Sequence, residues 1–375
     1  MKNAGRYALA GLLALVVGAT SSACSGSDPQ TFVPERVPST SAADRSASAE
    51  PPAPARRTGV VTLAFAGDMH FQLHLAALLE QPFGSLGPIT RKLADADLTM
   101  VNLETSITQR GTPEPKELEV PGARYHFRTS PAALDFLGAA GVDLVSVANN
   151  HGADYGKTGL SDTLRAISNS PIPVVGIGRN RRSAFTPYRV SVRGTDLAFF
   201  AADASMREGA STVWAAGDGS PGIAAARTAR PRVLLSAVRA ASERGDVVVV
   251  YLHWGTALQT CPTRLQADLA RSLAGAGADV IVGSHAHVLL GSGWMGDSYV
   301  NYGLGNFLWY HNHQPESGVL QLRIRDGAVV GDSWTPARIG TYGRPSPLSG
   351  RQRATALDDW RRLRGCTGLS ALPPS

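Results

Sequence analysis

The sequence predicts an α/β protein in which two central sheets of mixed strands are flanked by helices. Three observations predict it. From Val60 onward short apolar runs alternate with stretches of helical pattern. Two further pairs of runs are joined by Gly-containing turns, which places antiparallel elements beside parallel ones. Most main runs end in Asp, Glu, Asn or His, and ligands of open α/β sheets bind at the carboxyl ends of strands.

The elements follow in order. Residues 60–67 (VVTLAFAG) read as a buried strand, 88–96 as a helix and 98–104 (LTMVNLE) as the next strand. Residues 130–141 carry a Ser-Pro helix start and a Gly stop. Strands are expected at 142–149 and 172–178, with a helix at 156–169 between them. Residues 188–203 read as two antiparallel strands around Gly194-Thr195. A helix over 225–245 leads into the apolar strand 246–253, and a helix over 265–277 leads into 278–285. After 298–310, residues 318–334 form a hairpin around Asp326-Gly327, and 354–363 read as a last helix.

Composition excludes several classes. Gly and Pro, 40 and 24 of 375 residues, stay below the level of a low-complexity chain. Only one long apolar stretch occurs, near the N-terminus, so a polytopic membrane protein is excluded. The formal charge of +6 is spread thinly, and no basic-aromatic run points to nucleic acid. A mild positive balance suits an anionic substrate.

The N-terminal residues read as an address. Lys2 and Arg6 precede the apolar run 8–20, too short to span a bilayer comfortably, and Ser21-Ser22-Ala23-Cys24 follows. Small residues before a cysteine resemble a bacterial lipobox, with Ser21 where that pattern usually has Leu. Residues 1–23 are thus expected to be a lipoprotein signal peptide, with Cys24 lipidated. The product would sit on the extracytoplasmic face of the membrane. Ordinary cleavage to a soluble product is the alternative. Residues 25–58, rich in Ser, Ala and Pro, read as a disordered tether, and 59–375 as the folded domain. With Cys24 taken, Cys261 and Cys366 either pair in an oxidising compartment or stand as two independent thiols. No C-x-x-C suggests a thiolate zinc or redox site.

Five strand ends deliver polar groups toward one rim: Asp68 and His70, Glu104, Asn150 and His151, His253, and His285 with His287. On extended chain, residues two apart point to the same side, so each D-x-H or H-x-H pair can approach one place. A set of carboxylates, an amide and imidazoles without Cys suits Mn, Fe or Zn. Seven such ligands, His151 set apart, exceed one ion's ordinary coordination and fit two ions sharing a bridge. Asn301 and Asn306 flank a Gly-Leu-Gly turn, with structure the first reason for both and substrate contact the second. Arg128, with Arg124 and His126, either meets an anion or is a solvated surface. Trp254 is expected to pack, and His311-Asn312-His313 to form an exposed loop.

The order D-x-H, carboxylate, N-H, H, H-x-H resembles the calcineurin-like metallophosphatase superfamily. Residues 129–164 (TSPAALDFLGAAGVDLVSVANNHGADYGKTGLSDTL), then HWG, LQADLARSLAGAGADVIVGSHAHV and YGLGNF, resemble the CapA family of capsule-synthesis proteins associated with poly-γ-glutamate. The resemblance runs from about Val61 to Phe307. It implies a metallophosphatase-like four-layer α/β/β/α sandwich of mixed sheets holding two divalent metal ions. Asp68, His70, Glu104, Asn150, His253, His285 and His287 would be ligands, and His151 would stand beside the reacting group. It further implies a hydrolase of phosphoester or amide bonds acting in capsular polymer synthesis, attachment or processing. Its partners would be an anionic envelope polymer and a capsule-synthesis complex. The alternative is a non-catalytic, metal-containing protein that binds the polymer or assists its export. Three positions depart from the pattern. His70 replaces an apolar residue common in the family, Ala257 replaces a Glu after H-W-G, and Glu104 stands where metallophosphatases put a bridging Asp.

Overall fold

The computed structural model describes residues 59–81, 84–206 and 213–374. The expected signal peptide, Cys24 and the tether lie outside the described residues. Among those described, no helix is long and apolar enough to cross a membrane.

Two sheets of mixed strands form the centre. The first runs in the order Pro345–Pro347, Ala328–Ile339, Glu316–Arg325, Val61–Met69, Leu98–Leu103, Leu144–Ser146, Val174–Val175. Asn306–Leu308 pairs in parallel with the end of Val61–Met69. The strands from Val61–Met69 to Val174–Val175 are parallel, and those on the other side are antiparallel. The second sheet runs Ser292–Met295, Ser298–Asn301, Val280–Ser284, Val247–Gly255, Thr195–Ser205, Tyr188–Val192. Its four inner strands are parallel and its two edges antiparallel.

The unbroken apolar run at 247–252 explains the layering, because a strand covered on both faces has no polar side. Val247, Val249 and Tyr251 share a buried cluster with Leu63, Phe65, Met100 and Val145 of the first sheet. Val248, Val250 and Leu252 point the other way, into a cluster with Leu234 and Val238 of helix Arg232–Ser242 and Leu269 and Leu273 of helix Arg264–Ala274. Tyr251 Oη crosses the interface to donate to the Ala66 carbonyl at 2.9 Å. Helices Ala132–Ala139 and Gly156–Ser168 supply Leu134, Leu137 and Leu160 to the first cluster. The result is the expected α/β/β/α sandwich.

Local chemistry sets the turns. Asp326 and Gly327 both have positive φ, 53° and 83°, the signature of a two-residue type I′ hairpin. The other hairpin turns at Arg193-Gly194, φ 50° and 83°, one residue before the expected position, because Thr195 already pairs with Val192. Thr263 and Gln266 form a reciprocal capping box that starts the helix after Cys261. The helix expected over 225–245 is shorter. Ile223 belongs to a small strand and Pro231 caps the observed helix.

The segment 298–310 divides in a way that its sequence does not show. Ser298–Asn301 lies in the second sheet and Asn306–Leu308 in the first, so the Gly303-Leu304-Gly305 turn carries the chain between sheets. This passage is tight. A Cβ on Gly67 would lie 1.9 Å from the Gly305 carbonyl oxygen, so position 67 accepts only glycine without displacing backbone.

Cys261 and Cys366 form a disulfide with a Cα–Cα distance of 5.7 Å, which settles the pairing in favour of the bridge. Asp279, at the head of a central strand, accepts from the Val248 N–H at 2.7 Å. Burial pushes its carboxyl from 3.8 up to about 6. The folded state therefore binds more protons than the unfolded chain between these values, and stability falls as pH rises through this window. Asp279→Asn is expected to remove the Asp279 share of this slope, on the order of 1–3 kcal/mol. Denaturant unfolding at pH 4.5 and 7.5 checks it, and an unchanged slope in the variant would refute it.

Candidate metal centre

The strand ends do converge. A β-bulge at Asp68, visible as register breaks on both sides of its strand, turns this carboxylate inward. There Asp68 accepts from Asn102 Nδ2 at 2.8 Å and from the His285 backbone N–H at 2.9 Å. Glu104 follows the Leu98–Leu103 strand, and its N–H donates to the Met69 carbonyl. Both carboxylates are fully buried.

His253 stands at the middle of the group. Its Nε2 lies 2.7 Å from Asn150 Oδ1, 3.0 Å from His285 Nδ1 and 3.6 Å from Glu104 Oε1. Its Nδ1 lies 3.2 Å from Asn102 Nδ2 and 3.2 Å from Ser284 Oγ. Among the described residues two groups have donor atoms mutually within 4.8 Å: Asp68, Glu104 and His253, and Glu104, His285 and His287. Glu104 belongs to both.

The H-x-H pair reaches the site by a different route from the one expected. His285 and His287 are not on extended chain. They have φ of 92° and 59°, the left-handed region that non-glycine residues adopt at a cost. The strand ends at Ser284, and two strained residues aim both rings at Glu104. Asn306 Oδ1 holds His287 Nδ1 at 2.9 Å.

His70 joins neither donor group. It lies beyond the bulge in an aromatic pocket of Trp309, Phe127 and Tyr310, at ring distances of 4.3, 4.8 and 4.8 Å. Its Nδ1 accepts from the Gln72 N–H, while Nε2 is buried without a hydrogen-bond partner. His151 is fixed differently. Phe127 stacks on its ring at 4.1 Å, Nδ1 lies 2.5 Å from Asp154 Oδ2, and Nε2 lies 3.7 Å from Glu104 Oε1.

The electrostatics favour a cation. Burial first, then neighbouring imidazoles, pushes His253 well below the ordinary histidine range, and the same causes bring His285 down to about 3. Both rings are therefore neutral at pH 7 and offer lone pairs. Burial raises Asp68 against the lowering effect of His287 and several hydrogen bonds. Neutral imidazoles and buried carboxylates form a candidate set of metal donors, with Glu104 common to both groups, and the partnerless His70 Nε2 lies outside them.

Other expectations resolve plainly. Asn306 is fully buried behind His287, which removes it from an accessible substrate wall. Arg128 is exposed, with its guanidinium 4.8 Å over the Tyr155 ring. Trp254 is buried and donates to the Tyr302 carbonyl. His311 and His313 stack on each other at 4.4 Å in a loop where His313 is exposed. Sequence reasoning missed the aromatic wall and the buried Lys116 and Asp154. Asp154, three residues after His151, had a local signal. Lys116, in a Pro- and Glu-rich loop, had none.

The fold and the donor cluster at its carboxyl strand ends define a metallophosphatase-like α/β/β/α domain. Residues 62–311 match the family model described as bacterial capsule synthesis protein PGA_cap, and the chain belongs to this family. It is 28% identical over 297 residues to the PGA biosynthesis protein CapA of Bacillus subtilis (strain 168), covering 77% of this chain and 74% of that protein. It is 26% identical over 328 residues to the capsule biosynthesis protein CapA of Bacillus anthracis, covering 83% and 74%. A Mycobacterium tuberculosis protein (strain ATCC 25618 / H37Rv) named "Probable polyglutamine synthesis accessory protein" is 27% identical over 301 residues, covering 75% and 74%.

Proposed function

We propose that the chain is an exported, lipid-anchored, metal-dependent hydrolase acting on an anionic glutamate polymer of the cell envelope, or on its precursor, together with other capsule-synthesis proteins. One observation carries the hydrolase reading: Glu104 is shared by two donor groups and has His151 Nε2 at 3.7 Å. The names of the relatives support the polymer. The disulfide supports an oxidising compartment, and the leader and Cys24 support the anchor.

Asp68, Glu104, His253, His285 and His287 would hold the two ions, with Asn150 at His253 and His70 Nε2 at the margin. Bound there, two divalent ions supply charge withdrawal from the scissile group and a lowered pKa for the attacking water. Asn102 fixes Asp68, and Asn306 fixes His287. The Phe127, Trp309 and Tyr310 wall limits water beside His70 and His151. His151 moves a proton at Nε2, the ring atom that faces the centre.

The test is metal analysis of the purified protein, then a hydrolysis screen with phosphodiesters and γ-glutamyl peptides. Metal-replete protein that cleaves neither, yet retains a glutamate polymer, would instead be a binding or export accessory. If an activity is found, His151→Ala is expected to lower turnover by roughly 10²–10⁴-fold with metal content unchanged. Equal loss of metal and turnover would assign His151 to the ligands instead.

A further inference from the structure

Lys116 is the most unusual side chain outside the donor groups. It is only 1% exposed, and lysine is almost never buried unless paired. Its own backbone is strained, with φ of 50°, so a cost is met to bring this chain inward. Its Nζ lies 2.8 Å from Asp154 Oδ1, 3.6 Å from Glu119 Oε1 and 3.3 Å from His151 Nδ1. Asp154 in turn has its other oxygen, Oδ2, on His151 Nδ1 at 2.5 Å and also accepts from the Phe127 N–H at 2.7 Å.

We infer that Lys116 is a positioning residue, holding Asp154 as an acceptor so that His151 carries its proton on Nδ1 and turns the Nε2 lone pair to the centre. The inference rests on the proposed proton-transfer role of His151. The geometry distinguishes two arrangements. In one, the Lys116 ammonium pairs with Asp154 Oδ1 as an ion pair and Asp154 Oδ2 accepts from His151 Nδ1–H. In the other, Lys116 donates directly to a bare Nδ1, and the ring proton sits on Nε2. The Nδ1–Oδ2 contact of 2.5 Å is much shorter than the Nδ1–Nζ contact of 3.3 Å. An ionised carboxylate accepts only, so the short contact requires the proton on Nδ1. The lone pair on Nε2 then faces Glu104 Oε1, also an acceptor, and both atoms are aimed where a cation or a migrating proton is stabilised.

The ammonium is needed because burial works against it. Burial pushes the Asp154 carboxyl up to about 6, even with Lys116, the Phe127 N–H and His126 pulling it down. The other ionisable groups around it are Glu119, on Lys116, and His126, which lies 2.5 Å from the Glu114 carbonyl. Without the ammonium the carboxyl becomes neutral, and a neutral carboxyl has an O–H to donate. Donation to Nδ1 reverses the hydrogen bond and moves the ring proton to Nε2. The wrong tautomer of a catalytic imidazole is costly even when its position is unchanged.

The experiment uses ¹⁵N-histidine-labelled full chain at pH 7.5, with the His151 resonances assigned by their loss in His151→Gln. Wild type is expected to show protonated Nδ1 and bare Nε2. Lys116→Met is expected to show the reverse, and Lys116→Arg to restore the wild-type pattern. Asp154→Asn supplies the same test should Lys116→Met fail to fold. Lys116 directs the amide oxygen toward itself, so the NH₂ donates to Nδ1 and Nε2 gains the proton. Wild-type tautomer in Lys116→Met, or in Asp154→Asn if only that variant folds, would overturn the inference. These spectra do not depend on turnover, so they separate failure here from failure of the hydrolase reading. Where activity is measurable, Lys116→Met should lower kcat with KM and metal content unchanged. Adding His151→Ala should then cost no more than His151→Ala alone, and independent losses would also count against the coupling.

Discussion

Glu104→Ala is expected to leave a folded protein that no longer retains its full complement of metal. Glu104 is the one carboxylate common to both donor groups, so its removal weakens both positions at once. Removing an outer-shell partner of a metal ligand costs about 10–100-fold in affinity or activity, and loss of a shared ligand should exceed this. The side chain is fully buried at a strand end, but it belongs to none of the apolar clusters. The measurement is metal content by plasma emission after dialysis, with far-UV circular dichroism as the control for folding. Glu104→Asp tests whether length matters: the shorter carboxylate should keep more metal than alanine does. Full metal retention in Glu104→Ala would remove the two-ion reading of the site.

Loss of the Cys261–Cys366 bridge should have the largest effect on stability. The two residues are 105 apart in sequence, and closing a loop of this size restricts the unfolded chain by about 4.7 kcal/mol in the chain-entropy model. That figure is an upper one, because residual structure in the unfolded chain reduces it. The double substitution Cys261→Ser, Cys366→Ser should lower Tm by up to roughly 7 °C. The bridge also bears on the site. The loop that holds Cys261 donates from the Leu258 N–H to the Ala286 carbonyl at 2.8 Å, and Ala286 separates His285 from His287. At the other end Cys366 follows helix Gly350–Arg362, whose Trp360 stacks on Trp334 at 5.7 Å. Scanning calorimetry with and without reductant checks the prediction. An unchanged Tm would mean that the Trp360 packing and the Ser370 bridge to Trp294 already fix the tail.

Much of the fold was legible because its signals are local. The run VVVV at 247–250 announces a strand covered on both faces, Asp326-Gly327 announces a hairpin, and Thr263 with Gln266 announces a helix start. Each depends only on side-chain preference, backbone sterics or a hydrogen bond within a few residues. The ligand types were legible for a related reason. Asp68, Glu104, Asn150, His253 and the His285/His287 pair terminate apolar strands, and polar groups at such ends need partners.

The residue alternation used to pair Asp68 with His70, and His285 with His287, did not survive folding. A bulge separates the first pair, and left-handed backbone replaces extended chain in the second. Neither feature has a signal in the residue types, since both are imposed by strands that pack against the segment from far along the chain. The hidden passage of 298–310 from one sheet to the other has the same origin. The one-residue shift of the 188–203 hairpin reflects which residue finds a cross-strand partner first.

The sequence by itself determined the layered α/β class, the family and the chemical character of the centre, because periodicity and residue type at strand ends carry that information. Only the tertiary structure decided which donors meet. It put Glu104 between two groups, left His70 among aromatic rings, withdrew Asn306 behind His287, and brought Lys116 to His151. The physical reason is that these contacts join residues separated by tens to hundreds of positions, such as His285 and Asp68. Their distances are fixed by sheet packing and strained turns, which no local pattern encodes.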